Sequence, residues 1–469
     1  MAGPTRRSFL KAGSAAALAL SVEGRARRLF ADDRPCVAIV GGGLAGVACA
    51  WLLDGVADCT LFEARPALGG HAQTIPVTVG AQEVRVDVGA QFFAPATHPT
   101  YTKLVEILGL LDPAHPDDDA TVEADMTITV AEAGAERPRF MSASKGRLWP
   151  ALAPWNRPAL GPFLTLALAA KKFSQDGDWS VSLDDWLGSL PVPAEQREGL
   201  LLPLLSALTG CSIDQARALS ARSALFFIAR PRPRNLLDPI RYDNSLLGME
   251  GNVEALAAHT PDLTAHLGSA VTAVEPADGG RYRVRNAAGT CVEADVLIFA
   301  APPYRARPLL SAIPALDGVA AVLDAFEYFT ARIAIHRDPV YMPARRRFWS
   351  SYNAGIAIEE GYCEGSVWYG ALRPAPPGEA PLSVFKSWAT ARAGAPKEEI
   401  FRQTFRHPYI TPAFIDAQRR LDVYQGRGGV WFAGSYTREV DSQEAALTSA
   451  MSVVERIAPE TPNLLALRA

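Results

Sequence analysis

Three glycines and one acid carry the clearest chemistry in this chain. Gly41, Gly43 and Gly46 stand in G-x-G-x-x-G spacing within "VAIVGGGLAGVACAWLLDGVADCTLFE", which begins at Val37 and ends at Glu63. In that spacing the first glycine permits a tight turn and the second lets backbone approach a pyrophosphate. The third lets a helix pack closely on a strand. Phosphate oxygens would meet the amides that open the following helix around Ala45, where the helix dipole favours negative charge. Glu63, about 20 residues past the glycines, can accept both hydroxyls of a ribose and would repel a 2′-phosphate. The chemistry is dinucleotide binding, with NAD and FAD both open at this point.

The elements that must hold these residues are legible around them. Val37–Val40 is a short apolar run, the pattern of a buried parallel strand. Leu44–Leu53 follows as a helix and Cys59–Phe62 as a second strand ending at Glu63. Strand, triplet, helix, strand and terminal acid together outweigh the reading of three incidental glycines. The chain has 469 residues, 49% hydrophobic and 20% charged, which describes a folded protein larger than one ordinary core. A net charge of −4 gives no general attraction to nucleic acid, so no nucleic-acid partner is expected. Six cysteines include Cys36 and Cys59 on the two strands and Cys49 on the helix, where small buried thiols are common. No CxxC occurs and the seven histidines are scattered, so no metal site is expected.

The continuation "EARPALGGHAQT" separates the two dinucleotides. Here the sequence resembles the flavin amine oxidase and desaturase superfamily, whose ribose acid is followed by a paired-glycine motif. The resemblance implies FAD, with the residues after the acid, Arg65 among them, wrapping its pyrophosphate. Gly69, Gly70 and His71 match the motif, although most members carry Arg where this chain has His71; a histidine offers a cation only when protonated. "VDVGAQFF" (Val86 to Phe93) matches the family's strand leading to the flavin. The stretch His266 to Pro303 reads as strand, hairpin and strand; the resemblance implies that it completes the FAD domain and that the backbone at Val271 holds adenine. "GGVWFAGSYTREVDSQEAALTSAMSVVERI" (Gly428 to Ile457) reads as a strand ending at Gly434, a loop and a helix. That helix should begin near Asp441 or Ser442, with Glu444 in its first turn and its N-terminus toward the flavin. Glu444 and Gly434 are therefore counted with the cofactor residues.

The fold expected is α/β, a Rossmann-type FAD-binding domain with an interleaved α+β substrate domain of the amine-oxidase kind. Residues 34–94, 243–303 and 418–460 are assigned to the FAD domain, 95–242 and 304–417 to the substrate domain, and 461–469 to a tail. The second substrate interval alternates apolar and polar residues in "FEYFTARIAIHRD", "SVWYGAL" and "VFKSWATAR", as strands roofing the flavin would. The first holds the apolar stretches Leu164 to Leu168 and Leu200 to Leu208. Buried core is their plain reading; a substrate tunnel or a membrane-touching face is the functional one.

Catalytic residues are harder to read, because the cofactor carries the chemistry. Lys386 is a rare lysine inside a strand-like run, and the resemblance places a lysine near flavin N5 through a water; a solvent-facing strand lysine is the plainer reading. Tyr436 is a candidate from the loop before the last helix, with packing beside the flavin as its structural alternative. Amine-oxidising relatives flank the flavin with two aromatic residues, one from the region matching Asp441 to Ala446, and "DSQEAA" holds none. "IHRDPVYMPARRRFWSSYN" and "FRHPYITPAFIDAQRRLDVYQGRGGVWFAGSY" resemble a bacterial subgroup associated with cyclopropane and furan fatty acid formation. The expected function is an FAD-dependent oxidoreductase oxidising or dehydrogenating an apolar substrate, with a fatty acyl chain as the class that subgroup implies. The alternatives are an amine oxidase producing hydrogen peroxide and a flavin-bearing scaffold subunit without turnover.

Residues 1–33 form a separate object. "TRRSFLKAGSAAALALSV" sets Arg6 and Arg7 before Phe9, Leu10 and Lys11 and then an apolar stretch too short to span a bilayer stably. It resembles a twin-arginine translocation signal, which exports folded proteins. A periplasmic or exported location is expected, with the segment cleaved or left attached at the membrane.

Overall fold

The computed structural model describes residues 34–469, apart from 81, 113, 116–118, 133–134, 145, 230–239 and 374–379. The twin-arginine stretch therefore lies outside the described residues. The cofactor half is a five-stranded parallel sheet. Its strands in chain order are Cys36–Val40, Asp58–Phe62, Leu263–His266, Val296–Phe299 and Val430–Phe432. Across the sheet they run third, second, first, fourth, fifth, the order of a dinucleotide-binding half-fold. Val37 sits beside Val296 on one side and Cys59 on the other, so its strand is hydrogen-bonded on both edges.

Every residue of the helix Leu44–Leu52 is buried. It lies between the sheet and the long helix Gln443–Ile457, which is why its sequence shows no polar face. The helix Pro99–Ile107 buries Tyr101, Leu104 and Val105 in this same core. Residues 461–469, expected as a tail, form the helix Pro462–Arg468, whose Leu464 and Leu467 dock into that core while Asn463 donates to the carbonyl of Trp51 at 2.7 Å. All six cysteines are free.

The other half is built on a seven-stranded sheet. In order across it run Glu399–Pro408, Tyr328–His336, Phe385–Trp388, Tyr362–Trp368, Tyr352–Ala357, Ile128–Glu132 and Phe140–Met141. Neighbours are antiparallel except the pair Tyr352–Ala357 and Ile128–Glu132. Leu200, Leu201, Leu202, Leu204 and Leu205 are buried in a core shared with Ile333, Ile335 and Val367 of this sheet. Core packing therefore accounts for Leu200 to Leu205, and they do not line an open tunnel. Leu164 and Leu168 behave differently. Both are exposed, whereas Leu166, Ala167 and Ala170 of the same helix, Arg157–Asp176, are buried.

Candidate active site

The glycine triplet divides into two structural positions and one open one. Gly41 adopts φ +116°, and a Cβ there would lie 2.8 Å from the backbone of Ala300. A Cβ on Gly46 would lie 2.0 Å from the carbonyl oxygen of Gly41, so only glycine lets helix and strand approach this closely. Gly43 has ordinary extended torsions, φ −75° and ψ 177°, and its Cβ would stand 3.7 Å from Gly70 Cα. That gap faces a second loop: the Gly69 N–H donates to the Gly42 carbonyl at 2.8 Å, and Gly43 and Gly69 form a β-bridge. Gly43 is also the N-cap of Leu44–Leu52 and brings no side chain to the first-turn amides, Ala45 among them. The result is a cradle of backbone donors suited to a phosphate.

Glu63 closes the cradle's far side. Its Oε2 accepts the Gly42 N–H at 2.6 Å and its Oε1 the Arg65 N–H at 2.8 Å. Two buried polar atoms beside it have no protein partner, Ser269 Oγ and Asn286 Nδ2. The Ser269 N–H donates to the Glu63 carbonyl at 2.8 Å, and Asn286 lies opposite Val271 in register. Unmet hydrogen-bonding capacity beside the ribose acid and Val271 is what a nucleoside end requires. Arg65 lies on the rim of the same cradle. Its guanidinium donates to the Gly70 carbonyl at 3.2 Å and stands 3.5 Å from Glu250, so it braces the second loop.

At the other end the chain brings together residues nearly 300 positions apart. Lys386 is only 2% exposed; its Nζ donates to the Gly89 carbonyl at 2.5 Å and to Gln91 Oε1 at 3.2 Å. The solvent-facing reading of this lysine is thus corrected. Burial lowers its pKa from 10.5 to about 8, opposed by the charge of Asp87. Gly89 is itself pressed against His71: a Cβ there would fall 1.8 Å from the His71 carbonyl oxygen and 3.4 Å from Phe405 Cζ. The ring of His71 lies 5.3 Å from Phe405 and 5.6 Å from His407. Burial, and then His407, push the His71 pKa below its usual value, with Asp441 opposing. At neutral pH this position therefore holds a neutral imidazole where the family motif has a permanent cation.

The segment before the last helix completes this end. Gly434, at φ +144°, donates its N–H to Ser449 Oγ at 2.9 Å. Ser442 caps the helix Gln443–Ile457, accepting the Ala445 N–H. Asp441, the other candidate cap, accepts Ser435 Oγ at 2.6 Å and lies 3.6 Å from His407 Nδ1. Burial alone would raise its pKa, but the hydrogen bond and charge of His407, with His71 and Ser435, hold it down to about 2.

Two expected site residues have other roles. Glu444 accepts the N–H groups of Thr100 (3.1 Å) and Tyr101 (2.8 Å). It caps the helix Pro99–Ile107, whose own N-cap, His98, provides no side-chain cap. Tyr436 is buried, donating to the Phe299 carbonyl at 3.2 Å with its ring 5.7 Å from Phe326. That is a packing position. Sequence reading missed Gln91, Asp87, Phe405 and His407 as site neighbours, although "VDVGAQFF" and "FRHPY" both contain them.

Cradle, ribose acid and buried lysine fit FAD and define a flavin-dependent oxidoreductase. The chain belongs to the flavin-containing amine oxidoreductase family, whose model matches residues 44–407. Among solved structures, putrescine oxidase bound to putrescine is similar at TM-score 0.61 and 16% identity, over 91% of this chain and 100% of that one. Cyclohexylamine oxidase from Brevibacterium oxydans IH-35A is similar at 0.62 and 16%, over 91% and 99%. A CLA-producing fatty acid isomerase from P. acnes is similar at 0.62 and 15%, over 91% and 98%. At such identities these structures establish the shared fold. A stretch of 103 residues is 35% identical to carotenoid phi-ring synthase of Streptomyces griseus, covering 22% of this chain and 18% of that protein.

Proposed function

We propose that this protein is an exported FAD-dependent oxidoreductase that oxidises or dehydrogenates an apolar, fatty acyl substrate. The observation that carries the substrate class is the aromatic surround of Lys386 Nζ. Asp87, the one carboxylate whose charge acts on Lys386, is held in place by Thr74 Oγ1 and the Met249 N–H, both donating to its Oδ1 at 2.7 Å. The walls beside Lys386 are Trp388 and, across Gly89, Phe405. The region Asp441 to Ala446 has no aromatic to orient an amine. Similarity to a fatty acid isomerase and, over a short stretch, to a carotenoid-ring enzyme supports an apolar substrate. Arg6 and Arg7 before the apolar stretch support export as a folded protein.

Bound FAD supplies the hydride acceptor. The first-turn amides after Gly43 bind its phosphates and Glu63 its ribose. Lys386 Nζ, with a pKa near 8, holds or releases a proton near neutral pH, and its bonds to Gly89 and Gln91 fix its position. Phe405 and Trp388 limit water at that atom.

Anaerobic flavin bleaching against acyl substrates of graded length, with small amines in parallel, tests the reading. A buried chain contributes about 0.8 kcal/mol per CH₂, so removing two methylenes should weaken binding roughly tenfold. Rapid reduction by a small amine, with no dependence on acyl length, would reassign the protein to amine oxidation. Stoichiometric flavin that no lipid or amine reduces would favour a scaffold subunit.

A further inference from the structure

The helix Arg157–Asp176 and the turn before it present an outward apolar face. Leu152 is 72% exposed, Leu168 53%, Leu148 46%, Leu164 42% and Trp149 40%. Among the described residues, five of the thirteen exposed large hydrophobics thus fall within residues 148–168, too dense a cluster for scattered surface apolars. The helix contributes by period: Arg157, Gly161, Leu164, Leu168 and Lys171 recur every three or four residues and are all exposed, while Ala159, Leu166, Ala167 and Ala170 are buried opposite.

The exposed charges along the body of this face are basic. Arg157, Lys171 and Lys172 are exposed on the helix, whose one acid is Asp176, its last residue, in a chain of net charge −4. Arg345, Arg346 and Arg347 are exposed on a neighbouring turn. That turn is joined to the patch through Phe348, whose ring lies 6.1 Å from Trp149 and 5.8 Å from Trp155, with the Arg347 guanidinium 4.7 Å from it. Leucines flanked by a tryptophan and long cationic side chains are the composition of a helix lying in a membrane interface. There the leucines enter the acyl boundary, the indole sits at headgroup level, and the cations reach anionic phosphates. Among the described residues no helix is long and apolar enough to cross a membrane, so this face would rest on the surface.

We infer that Leu148–Leu152 and the outer face of Arg157–Asp176, with Arg345–Arg347, dock this protein on an anionic lipid bilayer. The inference extends the lipid reading of the active site but does not rest on it, because docking needs no turnover. The test is flotation of the full-length, FAD-loaded protein with vesicles of phosphatidylglycerol and phosphatidylcholine, or of phosphatidylcholine alone. Every variant retains residues 1–33, so differences among variants do not arise from that segment. The wild type should float with anionic vesicles and be released by salt. Leu152→Ser with Leu168→Ser should lower the partition coefficient at least about tenfold, each leucine giving up well under its full burial. Arg346→Glu with Arg347→Glu should remove the preference for anionic vesicles, each arginine contributing roughly fivefold. Flavin content equal to wild type in both variants shows that the fold and cofactor site are intact. Unchanged flotation in both variants would overturn the inference. So would a leucine pair that leaves flotation intact but turns a dimer into a monomer by light scattering, which would make the face a contact between copies. Docking without reduction of flavin by any lipid would count against the substrate proposal alone.

Discussion

Gly43→Val tests the cofactor site most sharply, because the structure separates loss of FAD from loss of fold at this position. The backbone at Gly43 is extended, φ −75° and ψ 177°, so a side chain introduces no torsional strain. Its Cβ would meet only Gly70 Cα at 3.7 Å and atoms of the Gly69–Gly70 backbone beyond, which is ordinary contact. The γ-methyl groups must then occupy the space between the two glycine loops, where the uncapped helix amides await phosphate. Overpacking of this kind typically costs about 1–3 kcal/mol. Losing phosphate hydrogen bonds adds about 1.5–3 kcal/mol for each bond to a charged group. FAD affinity should therefore fall by two orders of magnitude or more. Gly46→Ala is the contrasting perturbation. Its Cβ would stand 2.0 Å from the Gly41 oxygen, so the helix must leave the sheet and folding itself should fail. The assay is thermal unfolding with and without added FAD, with flavin absorbance per polypeptide measured on the purified protein. Wild type should be stabilised by FAD through mass action. Gly43→Val should melt near the wild-type apoprotein and gain nothing from FAD. Stoichiometric flavin in a folded Gly43→Val would refute the placement of the pyrophosphate. Unfolding of Gly43→Val as complete as that of Gly46→Ala would refute the division of the triplet into open and structural positions.

Lys386→Met should abolish an inflection near pH 8 in the rate of flavin reduction, because burial brings the Lys386 pKa down to about 8. The stability sign is also fixed. Between about pH 8 and 10.5 the unfolded chain holds one more proton than the folded one, so wild type should gain on Lys386→Met by about 3 kcal/mol as pH rises through that window. Below pH 8 the ammonium is charged in both states and the difference should be flat; a pH-independent difference in melting would refute the assignment. Arg6→Lys with Arg7→Lys should leave the protein in the cytoplasm with normal FAD content, as read by fractionation and flavin absorbance. Unchanged periplasmic recovery would refute twin-arginine export.

What the sequence made legible was the part whose determinants are close together in the chain. Strand, triplet, helix, second strand and Glu63 occupy residues 36–63, and each step constrains the next through backbone geometry alone. The Lys386 end was legible only as elements. Alternation identifies a strand at Phe385–Trp388, but period two does not say which face is dry. Lys386 is dry because Gly89 and Gln91, 297 and 295 positions away, supply its acceptors. Glu444 shows the same limit from the other side. Its place in the first turn of Gln443–Ile457 was readable, yet its carboxylate serves a different helix, 343 positions away. A long-range partner of that kind leaves no local trace.

The two leucine-rich stretches make the point in energetic terms. Leu164–Leu168 and Leu200–Leu208 are similarly apolar in sequence, and the structure treats them oppositely. Helix Leu202–Thr209 buries Leu202, Leu204 and Leu205 because the sheet strand Tyr362–Trp368 lies against it. On Arg157–Asp176 the inner side carries Ala159, Leu166, Ala167 and Ala170, with Leu160, Phe163 and Phe173 packed against the same core. With that side packed inward, helical period turns Leu164 and Leu168 outward. A helix stabilised only by its inner face would keep its fold with polar residues at those two positions, and exposed leucine adds nothing to folding. Leucine there is accounted for by something that meets the helix from outside. The cationic ends of the same face, Arg157 and Lys171, indicate the charge of what meets it.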